Sequence, residues 1–369
     1  IIKEVVNIKK WITCSLEEAE KEFIQDSNIK LISSFKWKPQ NYKSNHGGDV
    51  YISNDYKYRK ELIKDNKITF MPAMKAVLYS GAGGTGKTWV NLNMGNKLGL
   101  RYMGHSNKLC RAIKAEYPNL KVNPYQWLLL KNYELEKVAN NANFILIDEA
   151  STLTSNMIDS IIKKTEGIPL VFMGDITHQC LPIVNNDDEY KYNLEQIKGK
   201  FDLIIDLGKD GKIRRFKDCD KQLGVAREVR DMMDKKYSTY DIKEYCKNQY
   251  GVINEDDLMK EIRIKDIVLS STHNNKDSLT EKISKVLEPK YFIKKTTGGY
   301  YASDVVYEKP KISDKAYIIQ YCYTIHSVQG ETVEDNQNLY IDSRNLYNSR
   351  VLYTAISRAK YARQIKFII

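Results

Sequence analysis

Lys75-Ala76-Val77-Leu78-Tyr79-Ser80-Gly81-Ala82-Gly83-Gly84-Thr85-Gly86-Lys87-Thr88 is the stretch whose reading decides the fold. A short apolar run, Ala76 to Tyr79, feeds into a glycine-rich segment, so the spacing predicts a strand, a phosphate loop and a helix start. Gly81, Gly86, Lys87 and Thr88 fit G-x-x-x-x-G-K-[ST]. In that pattern Gly81, Gly83, Gly84 and Gly86 carry no side chain, which lets backbone N–H groups close around a di- or triphosphate at a helix N-terminus. Lys87 is placed to reach the outer phosphates of ATP. Thr88 is placed to offer its hydroxyl to Mg²⁺, a hard cation that takes oxygen ligands and keeps most of its waters. The alternative is an ordinary glycine-rich turn.

About sixty residues on, Phe144-Ile145-Leu146-Ile147-Asp148-Glu149 reads as a buried strand ending in two carboxylates. Phosphoanhydride hydrolysis needs a metal to gather phosphate charge and a group to orient the attacking water. Asp148 is the candidate for Mg²⁺, directly or through water, and Glu149 for the water. A third strand, Leu170-Val171-Phe172-Met173, runs into Gly174-Asp175-Ile176-Thr177-His178-Gln179, whose polar side chains could sense a γ-phosphate.

The chain has 369 residues, more than one hydrophobic core usually organises, and its 42% apolar content is ordinary for a globular protein. The six cysteines lie far apart with no C-x-x-C pair, which predicts a reducing, intracellular setting and no structural zinc. No apolar run approaches the ~18 residues of a membrane helix. The chain opens on Ile1 rather than Met and reads as a piece of a longer protein. Its net charge of +11 favours a polyanionic partner such as nucleic acid, against the alternative of a solvated lysine-rich surface.

Three regions emerge. Residues 1–70 form an N-terminal region of unassigned role, with a predicted helix at Ser15–Ile24 capped by Ser15, and with Trp11 and Trp37 read as packing residues. Residues 71–194 alternate strands with helices, which argues for a parallel sheet covered on both faces. A polar stretch at Asn185–Tyr190 then leads to residues 195–369, expected to form a second α/β domain from the strands Leu203–Ile205, Ile267–Leu269, Tyr317–Ile319, Leu339–Ile341 and Ile365–Ile369. An insertion at about 287–315 contains Thr297-Gly298-Gly299-Tyr300, a β-hairpin with a Gly-Gly turn.

The loop, Asp148-Glu149 and the Gly174-Asp175 segment together resemble the first motor domain of superfamily 1 helicases. The second half extends the resemblance. Cys322-Tyr323-Thr324-Ile325-His326-Ser327-Val328-Gln329-Gly330-Glu331-Thr332 is similar to that family's fifth motif, and Leu352-Tyr353-Thr354-Ala355-Ile356-Ser357-Arg358-Ala359 to its sixth. The family's third motif reads Gly-Asp-x-x-Gln. Here His178 stands where the glutamine is expected and Gln179 one place later, so either can be the phosphate sensor, Gln179 if the turn carries one extra residue.

The resemblance implies two RecA-like P-loop NTPase domains with parallel sheets, beside the small N-terminal region. It makes Gln329, Gly330 and Glu331 nucleotide-binding, Arg358 an arginine finger, and Arg215 of Ile213-Arg214-Arg215-Phe216 the fourth-motif arginine. An arginine in that role adds charge as the transition state spreads its own. The alternative for a lone arginine is a surface ion pair. For the nucleic acid, Ser106-Asn107-Lys108 and Pro124-Tyr125-Gln126-Trp127 fall at motifs Ia and Ib, where aromatic faces stack on bases and polar groups hold phosphates. Trp127 could equally be core, since Leu128-Leu129-Leu130 follow it. Thr324 and His326 match strand contacts of the fifth motif. The spelling Thr-Ile-His-Ser-Val-Gln-Gly is most similar to the RecD-like branch, which moves 5′ to 3′, and also resembles helicases of positive-strand RNA viruses. That implies ATP-driven movement on single-stranded DNA or RNA, in viral or mobile-element replication alongside other replication proteins. An RNA helicase or RNA triphosphatase shares every phosphate-handling residue, and a P-loop switch module is the rival of another class.

Overall fold

Apolar runs bounded by glycine and polar turns become strands throughout the chain, and a computed structural model shows how they are sorted into sheets. The structure describes residues 50–52, 63–64, 67–68, 76–83, 85, 87–88, 92, 100–129, 144–165, 168, 170–182, 187–201, 203–206, 219–302 and 304–369. The expectations for Trp11, the helix at Ser15–Ile24, Trp37, Gly84, Gly86 and Arg215 lie outside the described residues. Two units are present. The first holds the described residues through Ser106, with Cys110–Thr177 and Leu181 onward to Asp206; the second holds Asn107–Leu109, His178–Cys180 and Cys219–Ile369.

In the first unit the strands are β1 (Val50–Ile52), β2 (Ile63–Lys64), β3 (Lys67–Ile68), β4 (Ala76–Ser80), β5 (Leu100–Gly104), β6 (Lys121–Pro124), β7 (Phe144–Ile147), β8 (Leu170–Gly174) and β9 (Leu203–Asp206). Seven make one sheet in the order β1-β9-β4-β8-β7-β5-β6, while β2 and β3 pair with each other. All neighbours in the large sheet are parallel except β1, which runs antiparallel to β9. A parallel sheet is covered on both faces by its crossovers, so its strands are apolar throughout rather than alternating. Accordingly every residue of β4, β5 and β8 is buried. The described helices are α1 (Asn107–Glu116), α2 (Gln126–Leu129), α3 (Ser155–Lys164) and α4 (Asp187–Lys198). Thr154 caps α3 by accepting from the Met157 N–H, and the helix turns Ile158 and Ile161 into the core beside Leu78, Ile147 and Phe172.

One consequence of the strand order places the chemistry. Phe172 of β8 pairs with Leu78 of β4 on one side and Ile147 of β7 on the other. The glycine loop, Asp148-Glu149 and Gly174-Asp175 therefore leave neighbouring strands at the same, carboxyl end of the sheet, where open α/β folds bind ligands.

The second unit contains β10 (Val252–Ile253), β11 (Ile267–Ser270), β12 (Tyr291–Ile293), β13 (Val305–Val306), β14 (Tyr317–Ile319), β15 (Cys322–Thr324), β16 (Leu339–Asp342) and β17 (Ile365–Ile368), with α5 (Asp220–Asp234), α6 (Thr239–Tyr250), α7 (Glu255–Glu261), α8 (His273–Ile283) and α9 (Ser349–Ile356). A parallel sheet runs β10-β17-β16-β11-β15. Ser238, Asn254, Thr272 and Asn348 cap α6, α7, α8 and α9 through side-chain oxygens, each satisfying an N–H that the helix cannot.

Two expectations shift. Leu203–Ile205 is a strand, but it pairs with β4 as part of the first sheet, so the second unit begins after it rather than near residue 195. An apolar run announces a strand without saying which sheet edge it joins. Tyr317–Ile319 lies in a small antiparallel sheet, β13-β12-β14, and Cys322–Thr324 takes the expected place in the parallel one. The polar stretch before residue 190 leads into α4. The hairpin turn is as read: Thr297 bridges Tyr300, and Gly298 and Gly299 have φ of 56° and 84°, the left-handed pair that a two-residue turn demands.

Candidate nucleotide site

Lys87 follows the loop into its helix and folds back over it, 9% exposed. Its ammonium donates to the Gly81 and Ala82 carbonyl oxygens at 2.7 and 2.8 Å and to Thr85 Oγ1 at 3.2 Å. Thr85 in turn donates to the Ala82 carbonyl at 2.9 Å. The lysine is thus held at the carboxyl end of β4 by the backbone that would surround a phosphate. The Gly81 N–H donates to the Gly174 carbonyl at 3.2 Å and ties the loop to β8.

Asp148 is the most connected carboxylate of the site. Its Oδ2 accepts from the Tyr102 hydroxyl at 2.8 Å and from Thr88 Oγ1 at 3.1 Å; its Oδ1 accepts from the Glu149 N–H at 2.9 Å. Burial, reinforced by the charge of Glu149, pushes its pKa up to about 6, against the pull of those three donors. Glu149 has φ 55° and ψ 48° and opens the 3₁₀ turn Ala150–Thr152. A non-glycine residue in the left-handed region costs about 1–2 kcal/mol. The turn holds it there, for the Glu149 carbonyl accepts from Thr152 Oγ1 at 2.6 Å and from the Thr152 N–H at 2.8 Å. Gly174 is required by the same packing: a Cβ on it would stand 3.0 Å from the nitrogens of both Ala150 and Ser151.

The residues fit Mg²⁺. Because the Thr88 hydroxyl spends its proton on Asp148, its lone pairs are left to face a cation. Among the described residues no group of three or more His, Cys, Asp or Glu side chains forms a metal cage. That donor set suits an ion that completes its shell with phosphate and water.

Elsewhere in the first unit, Tyr125 is 4% exposed, its ring stacks on His105 at 6.3 Å, and its hydroxyl meets Thr152 Oγ1 at 3.2 Å. No open ring face remains for a base, so the expected stacking role of Tyr125 is replaced by support of the Glu149 turn. Trp127 is partly buried against the core, and Gln126 Nε2 donates to the His105 carbonyl at 2.9 Å. Ser106 accepts at its carbonyl from the Cys110 N–H as α1 begins; Asn107 and Lys108, which belong to the second unit, are exposed.

The second unit assembles its own cluster. Gln329 donates from Nε2 to Gln179 Oε1 at 3.3 Å and accepts from Cys180 Sγ at 3.3 Å, while the Cys180 N–H donates to Thr354 Oγ1 at 3.1 Å. His178 turns elsewhere, its Nε2 3.0 Å from Asp234 Oδ1 and its ring against Tyr353. Of the two sensor candidates, Gln179 is therefore the one joined to the fifth-motif residues. Arg358 is 2% exposed and donates to the Thr354 carbonyl, the Glu331 carbonyl and Ser357 Oγ at 2.9, 3.3 and 2.8 Å. All three acceptors are neutral, so the surface ion pair is not what holds it. Gly330 has φ 86°, a conformation suited to glycine, and Glu331 pairs with Lys108 at 2.7 Å. Thr324 is partly exposed and His326 exposed on the turn Ile325–Val328. Sequence reasoning missed Tyr102 and Thr152 beside Asp148-Glu149, and Cys180 and Thr354 in the second unit's own cluster; no spacing rule marks them.

Solved structures share this fold. Pif1 helicase from Candida albicans matches at TM-score 0.53 and 13% identity, over 79% of this chain and 91% of that one. Bacteroides Pif1 bound to ssDNA matches at 0.55 and 14%, over 79% and 88%. Pif1 helicase from Bacteroides in complex with ADP-AlF3 and ssDNA matches at 0.52 and 14%, over the same shares. The chain has the two-domain α/β fold of superfamily 1 helicases. No protein-family model and no curated protein matches the sequence.

Proposed function

We propose that the chain is an ATP-dependent helicase or translocase that moves 5′ to 3′ along single-stranded DNA, in the replication of a viral or mobile genetic element. The observation that carries this reading is the joint at the carboxyl ends of β4, β7 and β8, where Lys87, Thr88, Asp148 and Glu149 stand in one hydrogen-bonded frame. The Pif1 structures of like fold hold ssDNA, one of them with ADP-AlF3, which supports the same ligand classes here.

In this reading Lys87 exchanges its loop carbonyls for outer phosphate oxygens, and Glu149 orients the attacking water. Thr88 and Asp148 hold Mg²⁺, which gathers the phosphate charge. Gln179 with Gln329 senses the γ-phosphate, and Arg358 and Arg215 add charge in the transition state. Ser106, Asn107, Lys108, Thr324 and His326 track the strand. The free thiols Cys110, Cys180, Cys219, Cys246 and Cys322 suit a reducing, intracellular setting, where other replication proteins are the further partners.

The test is ATP turnover with and without single-stranded DNA or RNA, followed by unwinding of matched DNA and RNA partial duplexes with 5′ or 3′ tails. Strong stimulation by DNA and unwinding from the 5′ tail are expected. Turnover that ignores both strands, or survives Lys87→Ala, overturns the reading; unwinding confined to RNA moves the substrate, because phosphate-handling residues do not read a 2′-hydroxyl.

A further inference from the structure

The Tyr102 hydroxyl does something that its strand does not need. β5 lies beside β7, with Tyr102 opposite Leu146, and the ring extends along the sheet to bring its hydroxyl 2.8 Å from Asp148 Oδ2. The side chain is 0% exposed, and so is that of Leu146, its apolar partner on β7 on the same face of the sheet. A buried phenol is costly unless its hydroxyl finds a partner, so a strand chosen for packing alone would carry an aliphatic residue or phenylalanine. The path is also kept clear: a Cβ on Gly104 would stand 3.1 Å from Tyr102 Cε1 and 2.7 Å from Cys110 Sγ. Glycine two residues along the same face leaves room for the ring.

Asp148 has about four acceptor positions. The Glu149 N–H and Thr88 hydroxyl would be present in any chain with the two motifs. The third donor comes from β5, outside both motifs. Oδ2 is thereby fixed between two hydroxyls, and the carboxylate cannot rotate without breaking both bonds.

We propose that Tyr102 is a positioning residue for Mg²⁺: its hydroxyl locks the orientation of Asp148 and so sets the affinity of the site for the metal that accompanies the nucleotide. This rests on the nucleotide-site reading above. Hydrogen-bond partners behind metal ligands typically change metal affinity 10- to 100-fold when removed.

The test is equilibrium binding of a fluorescent ADP analogue to the wild-type protein and to Tyr102→Phe, in EDTA and across a Mg²⁺ titration. In EDTA the two should bind alike. With Mg²⁺ the wild type should gain affinity, and in Tyr102→Phe the midpoint of that gain should move to about tenfold higher Mg²⁺ or beyond. Gly104→Ala, which crowds the ring while leaving the hydroxyl in place, should shift the midpoint in the same direction and serves if the phenylalanine variant folds poorly. An unchanged midpoint beside a clear wild-type gain overturns the role of Tyr102 and leaves the site standing. Equal weakening with and without Mg²⁺ also overturns it, as the mark of a packing residue. A wild-type protein whose affinity is blind to Mg²⁺ overturns the site reading and this inference together.

Discussion

Gly174→Ala places one methyl group where β8 passes the turn that carries Glu149. The new Cβ would lie 3.0 Å from the nitrogens of Ala150 and Ser151, whereas ordinary contact begins at 3.4 Å, so the turn must move by about 0.4 Å. Both obstacles are backbone and cannot rotate aside. Glu149 is the residue immediately before them and moves with them. Displacing a reacting group by ~1 Å costs about 10²-fold in rate, and scaling the logarithm linearly gives a fall in turnover of about sixfold. Overpacking of this kind lowers stability by about 1–3 kcal/mol. Nucleotide affinity should hold, because the Gly174 carbonyl that accepts from the Gly81 N–H is retained in alanine and the Lys87 bonds go to the Gly81 and Ala82 carbonyls, not to Gly174. The assay is steady-state ATP turnover at saturating single strand, with nucleotide affinity and thermal unfolding measured on the same sample. Wild-type turnover would refute the link between Gly174 and the Glu149 turn, and a parallel loss of affinity and turnover would show general damage in place of a displaced carboxylate.

Glu149→Gln keeps shape and most hydrogen bonding, so ATP should bind while turnover falls by about 10² or more; a collapse of affinity would make Glu149 a metal ligand instead. Arg358→Ala should leave nucleotide binding nearly intact and lower strand-stimulated turnover about 10³-fold, with Arg358→Lys no better because an ammonium lacks the planar fork. Ordinary turnover in Arg358→Ala removes Arg358 from the chemistry, and ordinary turnover in Arg358→Lys alone refutes the need for the fork. Binding to single strands should weaken at least about tenfold between ~50 and ~200 mM salt as counterions are released, and a flat response would mean that the +11 charge is a solvated face. Lys290, 4% exposed over the Tyr323 ring, has its pKa drawn down to about 8 by burial, so its charged form opposes folding at neutral pH. Lys290→Met should therefore be more stable than wild type at pH 7, with an advantage that shrinks as pH rises from about 8 toward the unfolded value near 10.5; a difference constant with pH would contradict the assigned cause.

The strands that carry chemistry were legible because burial on both faces forces a continuous apolar run and function forces a break in it. Ala76–Ser80, Phe144–Ile147 and Leu170–Gly174 were each readable to within a residue for that reason. The strand Leu100–Gly104 was not, since Arg101, Tyr102 and Gly104 interrupt the apolar pattern although all are buried. Sheet membership was equally hidden. Leu203–Ile205 has the same composition as the strands of the second unit, and its place beside β4 is decided by an open sheet edge that no local pattern records.

The same distinction separates the site residues that were read from those that were not. Lys87, Thr88, Asp148 and Glu149 stand at spacings fixed by backbone geometry within one loop or one strand end, and such spacings survive in a linear string. Tyr102 meets Asp148 across 46 positions, and Thr354 meets Cys180 across 174. Neither pair has a fixed offset, because each depends on which strand or helix lies alongside. What the string does retain is the accommodation each contact requires. A glycine at 104, at the end of a buried strand where a β-branched residue would pack better, is unexplained by propensity. It becomes intelligible only when Cys110 Sγ and the Tyr102 ring are seen to crowd the space a Cβ would take. A glycine that weakens its own strand therefore points to neighbours that need the room, and here one of them, Tyr102, ends on the carboxylate of the candidate nucleotide site.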